Sequence, residues 1–359
     1  MKIFRRTFHY LILLITIFTF PGCASQICQD PLGCIELAPG DPVEIGVLIP
    51  TTQLDRASGI EVLNGAVISL TDYQNLHGHP INLIKEDTSC LAVDFPRLIP
   101  RLTSRANLIG IIGPVCDAES DFLAAALSDA GKTIVSPTFI KISSSPGSLR
   151  TAPSIESQSD WIAEKILRLF PNPQILLFAD SNLSIWFEGF KLALFTLDAQ
   201  FKDVRLSDEL NADLEKIVPS VSASDVLILI LDDPFLIDPE ILEKLSILTN
   251  RIIFTPTQFL PLSPPQGWKN WLWAGFLPPN NPEITTPISG YSYDAVLLML
   301  NAVHQVAIKT MNGHLFIPRQ KLRESFQTLD LSGLMADYVC SPLSGCTGQN
   351  AYFGFITQP

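Results

Sequence analysis

The sequence predicts an α/β protein of two lobes, each a mostly parallel sheet flanked by helices. Three observations predict it. Strand and helix patterns alternate through residues 43–136, and the same alternation restarts near residue 158. Apolar runs such as VEIGVLI (43–49) and DVLILIL (225–231) have no polar alternation, as strands covered on both faces require. The length of 359 residues exceeds one ordinary domain and fits two lobes of roughly 150 residues.

In order, Val43–Ile49 reads as a strand, and 59–76 as an amphipathic helix with Ile60, Leu63, Ala66, Val67 and Leu70 at helical spacing. Gly78-His79-Pro80 is a turn, 81–86 a strand, 96–104 a helix, and LIGII at 108–112 a strand closed by Gly113-Pro114. A helix over 119–129 and a strand over 133–136 complete the first series. The second has helices at 158–169, 186–197, 212–218 and 239–248, and strands at 174–179, 225–231 and 251–255. Residues 256–289 are proline-rich, hold Trp268, Trp271 and Trp273, and are expected to cross between lobes, the tryptophans packing there rather than stacking sugars. A helix over 292–308, a short helix over 318–326 and a closing hairpin of 338–346 with 352–356 end the chain. Asp294 is expected to be a structural acid near a helix N-terminus.

The N-terminus reads as an address. Lys2, Arg5 and Arg6 precede an apolar run over 10–20, and Pro21-Gly22 break it before Cys23. The run is short for a membrane span of about 20 residues. Residues 1–22 are therefore a signal peptide, and Cys23 is the expected diacylated (palmitate-bearing) N-terminus. The rival readings are an ordinary secretory peptide or a retained anchor. Residues 23–42 are a polar tether. Cleavage removes three basic residues and no acid, which takes the net charge from −12 to −15. Such acidity repels a polyphosphate backbone, so no nucleic acid is expected as a partner.

The six further cysteines suit an oxidising compartment. They allow fifteen pairings, of which Cys28–Cys34, Cys90–Cys116 and Cys340–Cys346 is the economical one. Zinc is the rival, but there is no CxxC, and the five histidines do not accompany the cysteines at ligand spacing. His77-Gly78-His79 reads as a loop, so no metal is expected, and no cofactor. GxGxxG after the first strand, GxxxxGKS/T, HExxH and GxSxG are all missing, and no nucleophile–base pair can be assembled, so no enzymatic activity is expected.

Several segments together resemble the type I periplasmic-binding-protein superfamily, specifically the branched-chain amino-acid receptors of ABC transporters. They are VEIGVLIP (43–50), GAVISLTDYQN (65–75), GHPINLIKEDTSC (78–90), LIGIIGPVC (108–116), IVSPTF (134–139), RTAPS (150–154) and ISGYSYDAVLLMLNAV (288–303). The resemblance spans 43–356 and is weaker over 200–285. It implies a type I fold with three crossovers: lobe 1 from 43–157 and 282–330, lobe 2 from 158–281 and 331–359. It implies an extracytoplasmic, lipid-anchored protein that closes by hinge motion on an amino acid or related small amine and delivers it to permease subunits. It also implies a Cys90–Cys116 disulfide in lobe 1. A ligand-sensing module and a structural lipoprotein without ligand are the alternative readings.

The implied ligand contacts lie at the ends of strands 108–112 and 133–136: Asp117 and Ser120 in the turn after the first (115–120), Ser136 at the end of the second, and Thr138 and Phe139 in the turn that follows it (137–141). The family's serine is Asp117 here and its threonine falls on Ile140, so the clamp for an α-carboxylate is weakened and a cationic or uncharged ligand becomes a fit for Asp117. In lobe 2, Trp186 maps to the lid, and the ammonium-binding acid to Asp232 or its neighbour Asp233.

Overall fold

The computed structural model describes residues 28–51, 56–139, 147–222, 225–247, 251–260, 271–341, 345–349 and 353–357. Residues 1–22, expected to be a signal peptide, and Cys23 lie outside these residues. Two six-stranded sheets organise the chain. The first contains β2 (Val43–Ile49), β3 (Asn75–Leu76), β4 (His79–Asp87), β5 (Leu108–Ile112), β6 (Thr133–Ser136) and β7 (Ser148–Arg150), in the order β3-β4-β2-β5-β6-β7. All its pairs are parallel except β3–β4. Every residue of β5 and β6 is buried, which explains their unbroken apolar runs. Helices α1 (Arg56–Asp72), α2 (Phe95–Thr103) and α3 (Asp117–Asp129) connect these strands.

The chain then enters α4 (Ile155–Leu169) and the second sheet: β8 (Gln174–Ala179), β9 (Phe201–Arg205), β10 (Asp225–Ile230), β11 (Arg251–Phe259) and β12 (Leu272–Phe276). Helices α5 (Ser184–Thr196), α6 (Leu210–Ile217) and α7 (Pro239–Ser246) intervene. The order is β18-β12-β11-β10-β8-β9, and only the last strand, β18 (Phe353–Thr357), runs antiparallel. The chain returns through α8 (Pro287–Val306), β13 (Ile308–Lys309), β14 (Leu315–Pro318) and α9 (Arg319–Ser325) to lobe 1. It leaves again by β15 (Asp330–Ser332), β16 (Asp337–Ser341) and β17 (Gly345–Gln349).

Helix α8 is buried almost throughout and packs on α1. It opens with a capping box in which Thr286 and Ser289 satisfy each other's backbone N–H, followed by Pro287 at its first turn. It thus begins five residues before the predicted 292, and Asp294 sits inside it, fully buried, rather than at its N-terminus. Ser292 Oγ donates to Val62 O across the two helices at 2.6 Å.

Four further departures have physical reasons. Cys34–Leu37 is a strand, β1, paired antiparallel with β14, because Ile35 and Leu37 alternate into the lobe-1 core, so the segment read as free tether is partly fold. Strand β11 runs four residues past its predicted end, through Pro256, with a register shift against β12 between Thr255 and Phe259. Trp271 and Trp273 sit in the lobe-2 core with Leu227, Leu229 and Ile253, not between lobes, because β12 is an interior strand; Trp268 lies outside the described residues. The C-terminal hairpin is β16–β17, while 353–357 joins β12 instead.

The disulfides Cys28–Cys34 and Cys90–Cys116 are formed. Cys340 is disulfide-bonded, and its register partner is Cys346. Among the described residues no helix is long and apolar enough to cross a membrane, and no group of three or more His, Cys, Asp or Glu is placed to hold a metal ion.

Candidate solute-binding cleft

In open α/β sheets the loops beyond the carboxyl ends of the strands face the ligand crevice. In lobe 1 these are the turns after β5 and β6. Ser136 Oγ donates to Pro114 O at 3.2 Å and lies 3.1 Å from Thr138 Oγ1, so both hydroxyls, each buried, are spent in tying the two turns together. The next residue, Phe139, leaves the lobe. Its backbone carbonyl accepts from Ile155 N at the start of α4, and its ring lies 5.5 Å from Trp186, 5.3 Å from Phe276 and 6.1 Å from Tyr291. Trp186 in turn stands edge-on to Phe254 at 5.1 Å. Phe139 and Trp186 are only 7% and 6% exposed, which makes this seam of rings a continuous apolar bridge between lobes. Each such pair is worth about 1 kcal/mol beyond its buried area. Phe139 takes part in three of them, so a Phe139→Leu substitution is expected to cost about 3 kcal/mol, read as a lower urea midpoint at unchanged slope.

Asp117 and Ser120 lie in the first turn of α3, which Cys116 precedes as N-cap. Their side chains, and Ile140, lie outside the described residues.

The lobe-2 side is acidic. Asp232 follows β10; its N–H donates to Asp180 Oδ2 at 2.9 Å, and its Oδ1 accepts a short hydrogen bond from Thr257. Asp180 follows β8. Burial raises its carboxyl above the ordinary value; the Asp232 N–H opposes the rise, and the charges of Asp232 and Asp233 add to it. Glu61, on α1 of lobe 1, is also raised by burial, opposed by a hydrogen bond from Thr286 and raised further by Asp232. Asp232 therefore acts on carboxyls of both lobes, and the influences on them are burial, uncharged donors and other carboxylates. Asp233 is spent locally, accepting from Phe235 N at 3.0 Å. A cation beside Asp232 relieves its repulsion with Asp180 and with Glu61.

Of the residues expected from the sequence, Phe139 and Trp186 meet in the ring seam and Asp232 lies beside Asp180, whereas Glu61, Asp180, Phe254, Phe276 and Tyr291 are not singled out by the sequence. Asp180 was findable, because it directly follows a predicted strand and the crevice rule applies to every strand end. Glu61 carries no local signal; it lies 171 residues from Asp232 in sequence, yet the fold brings it within reach of that charge.

Two sheets of this strand order, each carrying its crossover helices, with three chain passages between them, decide the architecture. The chain has the type I periplasmic-binding-protein fold. Solved structures agree over most of its length. The leucine-binding protein of Thermotoga maritima matches 88% of this chain and 98% of its own at a TM-score of 0.57 and 16% identity. The branched-chain amino-acid transporter substrate-binding protein of Streptococcus pneumoniae, in complex with isoleucine, matches 89% and 96% at 0.61 and 12%. A solute-binding protein of an ABC transporter from Rhodopseudomonas palustris, in complex with 3,4-dihydroxybenzoic acid, matches 85% and 90% at 0.60 and 11%. No protein-family model and no curated sequence matches the chain. Identities this low carry the type I fold and not its ligand.

Proposed function

We propose that the protein is the extracytoplasmic solute-binding component of an ABC-type uptake system, taking an amino acid or related small amine between its lobes and handing it to permease subunits. Its lobes on this reading are 43–157 with 282–330 and 158–281 with 331–359. Residues 1–22 are removed on export and Cys23 carries the lipid anchor. Support for the role comes from the likeness to substrate-binding proteins over nearly the whole chain. The observation that carries the ligand class is the acidity around Asp232, whose N–H bonds the Asp180 carboxylate at 2.9 Å and whose charge also raises the Glu61 carboxyl of α1. An ammonium group satisfies it, whereas an aromatic acid such as the Rhodopseudomonas protein holds places a carboxylate against it. Asp117 and Ser120 are the lobe-1 contacts, Asp232 the ammonium acceptor, and Trp186 with Phe139 the apolar wall. Ser136 and Thr138 shape the turn behind them. Closure is a hinge motion and makes no covalent change in the solute.

A thermal-shift panel of amino acids, amines, short amides and sugars tests the reading, since a ligand of the folded state raises apparent stability by mass action. Shifts confined to ammonium-bearing compounds are expected. Shifts confined to sugars or aromatic acids contradict it. The raised Glu61 and Asp180 carboxyls also set a pH dependence. Protons compete with the ammonium where these groups titrate, so affinity falls as pH is lowered through their raised values. Calorimetric titrations at successively lower pH are expected to show affinity falling as these carboxyls take up protons, by at most about tenfold per pH unit for each proton displaced.

A further inference from the structure

The N-terminal arm is fastened to lobe 1 from the first described residue. Cys28 is joined to Cys34, which pairs with Pro318 in the β1–β14 ladder. Between them, the Asp30 carboxylate accepts the N–H groups of Gln320 at 3.0 Å and Lys321 at 3.2 Å, besides that of Leu32 at 2.9 Å. Gly33 O accepts from Arg319 N at 3.1 Å. Disulfide, ladder and carboxylate all hold the arm against one place, the start of α9.

That place lies at the end of lobe 1 remote from the cleft. A Cβ on Gly131, in the turn between α3 and β6, would meet Arg319 Cδ at 3.7 Å and Leu32 Cβ at 4.0 Å. The next residue, Lys132, opens the approach to β6, and its Nζ donates to Arg105 O and Leu108 O, where β5 begins. The arm is thus bound where the parallel strands start, and the cleft turns lie where they end.

Cys23 precedes Cys28 by five residues, a reach of roughly 17 Å even when fully extended. A free tether over 23–42 would reach roughly 65 Å and permit any orientation. From this difference we propose that the remote end of lobe 1, bearing the exposed Leu32, Ala130 and Lys321, is a docking face for the phospholipid bilayer. Lobe 1 then lies against the headgroups and lobe 2 outermost. The face suits an interface: Leu32 is 41% exposed, and Lys321 is exposed beside it, a long side chain able to lay its methylenes on lipid with its ammonium in water. The proposal rests on the reading of Cys23 as the acylated N-terminus.

The test uses the full chain, acylated in its host membrane and reconstituted in phosphatidylcholine vesicles that carry a headgroup-attached quencher. A fluorophore is placed at Lys321→Cys or at Ile247→Cys, the latter in lobe 2 and 79% exposed. Quenching at 321 is expected to exceed that at 247 several-fold. A flexible Gly/Ser insertion of roughly fifteen residues between 27 and 28 is expected to bring the two together, because it restores a long leash. Equal quenching in the uninserted protein overturns the proposal. The mass of the N-terminal peptide reports the acyl group separately. Its absence overturns the docking face as well, while the thermal-shift panel still decides solute binding.

Discussion

Replacement of Asp294 by alanine is expected to destabilise the protein by about 4 kcal/mol. The carboxylate is fully buried in α8 and accepts from Leu334 N at 2.6 Å, Met335 N at 2.8 Å and Tyr338 Oη at 2.8 Å. These donors belong to the stretch that leads from lobe 1 to β16 and onward to β18 of lobe 2. The approach is close: a Cβ on Gly333 would come within 2.7 Å of Asp294 Oδ2. Alanine leaves three buried donors without acceptors, at about 1–3 kcal/mol each before relaxation. Asparagine keeps the shape and one acceptor oxygen, so about half that loss is expected, and urea midpoints at unchanged slope measure both.

The same residue sets a pH slope. Burial pushes its carboxyl up to about 7 from an ordinary 3.8, against the pull of Leu334, Met335, Tyr338 and Ala336. The folded protein therefore holds this proton more tightly than the unfolded chain does. The contribution is complete below pH 3.8 and is lost as pH rises through about 7. Wild-type stability is expected to fall between pH 5 and pH 8 relative to Asp294→Asn, which does not titrate. A rise in that window contradicts the assignment. Tyr73, Tyr291, Tyr293 and Tyr338 all face or feel this carboxylate, and each is itself raised, so none competes as a titrating group in the window.

The second large effect belongs to Gly65. A Cβ there would lie 1.9 Å from Ser289 O, 2.7 Å from its carbonyl carbon and 2.9 Å from Ser292 Cβ. The obstruction is helix backbone, which cannot swing aside as a flexible side chain does. Gly65→Leu is expected to cost about 4 kcal/mol or to abolish folding, beyond the usual cost of overpacking. Val67, on the exposed side of the same helix, provides the control: Val67→Ala is expected to stay within about 0.5 kcal/mol of wild type. The two helices also carry Glu61 and Thr286. Gly65→Ala, if it folds, is therefore expected to weaken amine binding, whereas Val67→Ala is not.

These two positions show what the sequence could and could not reveal. The strands of both lobes were legible because burial on both faces leaves unbroken apolar runs such as LIGII and DVLILI. Short or exposed strands were not: β9 (FKDVR) is mostly exposed and polar, and β7 (SLR) has three residues. The start of α8 was hidden by Pro287, which reads as a breaker unless the Thr286/Ser289 capping box around it is recognised. That error placed Asp294 near a helix end and concealed its partners, which lie forty residues on. In the cleft, Asp232 was reachable from the end of a strong strand. The aromatic seam was not, because Phe254, Phe276 and Tyr291 look like ordinary core residues until the lobes are assembled.

Closure of the lobes on an amine is decided by energy transfer between fluorophores at Ile60→Cys in lobe 1 and Phe235→Cys in lobe 2, both exposed positions. A saturable change in transfer is expected on adding the amine or amino acid that gives the largest thermal shift, right-shifted at least tenfold by Asp232→Asn. Transfer that stays constant while calorimetry records binding, or a titration indifferent to Asp232→Asn, would contradict it.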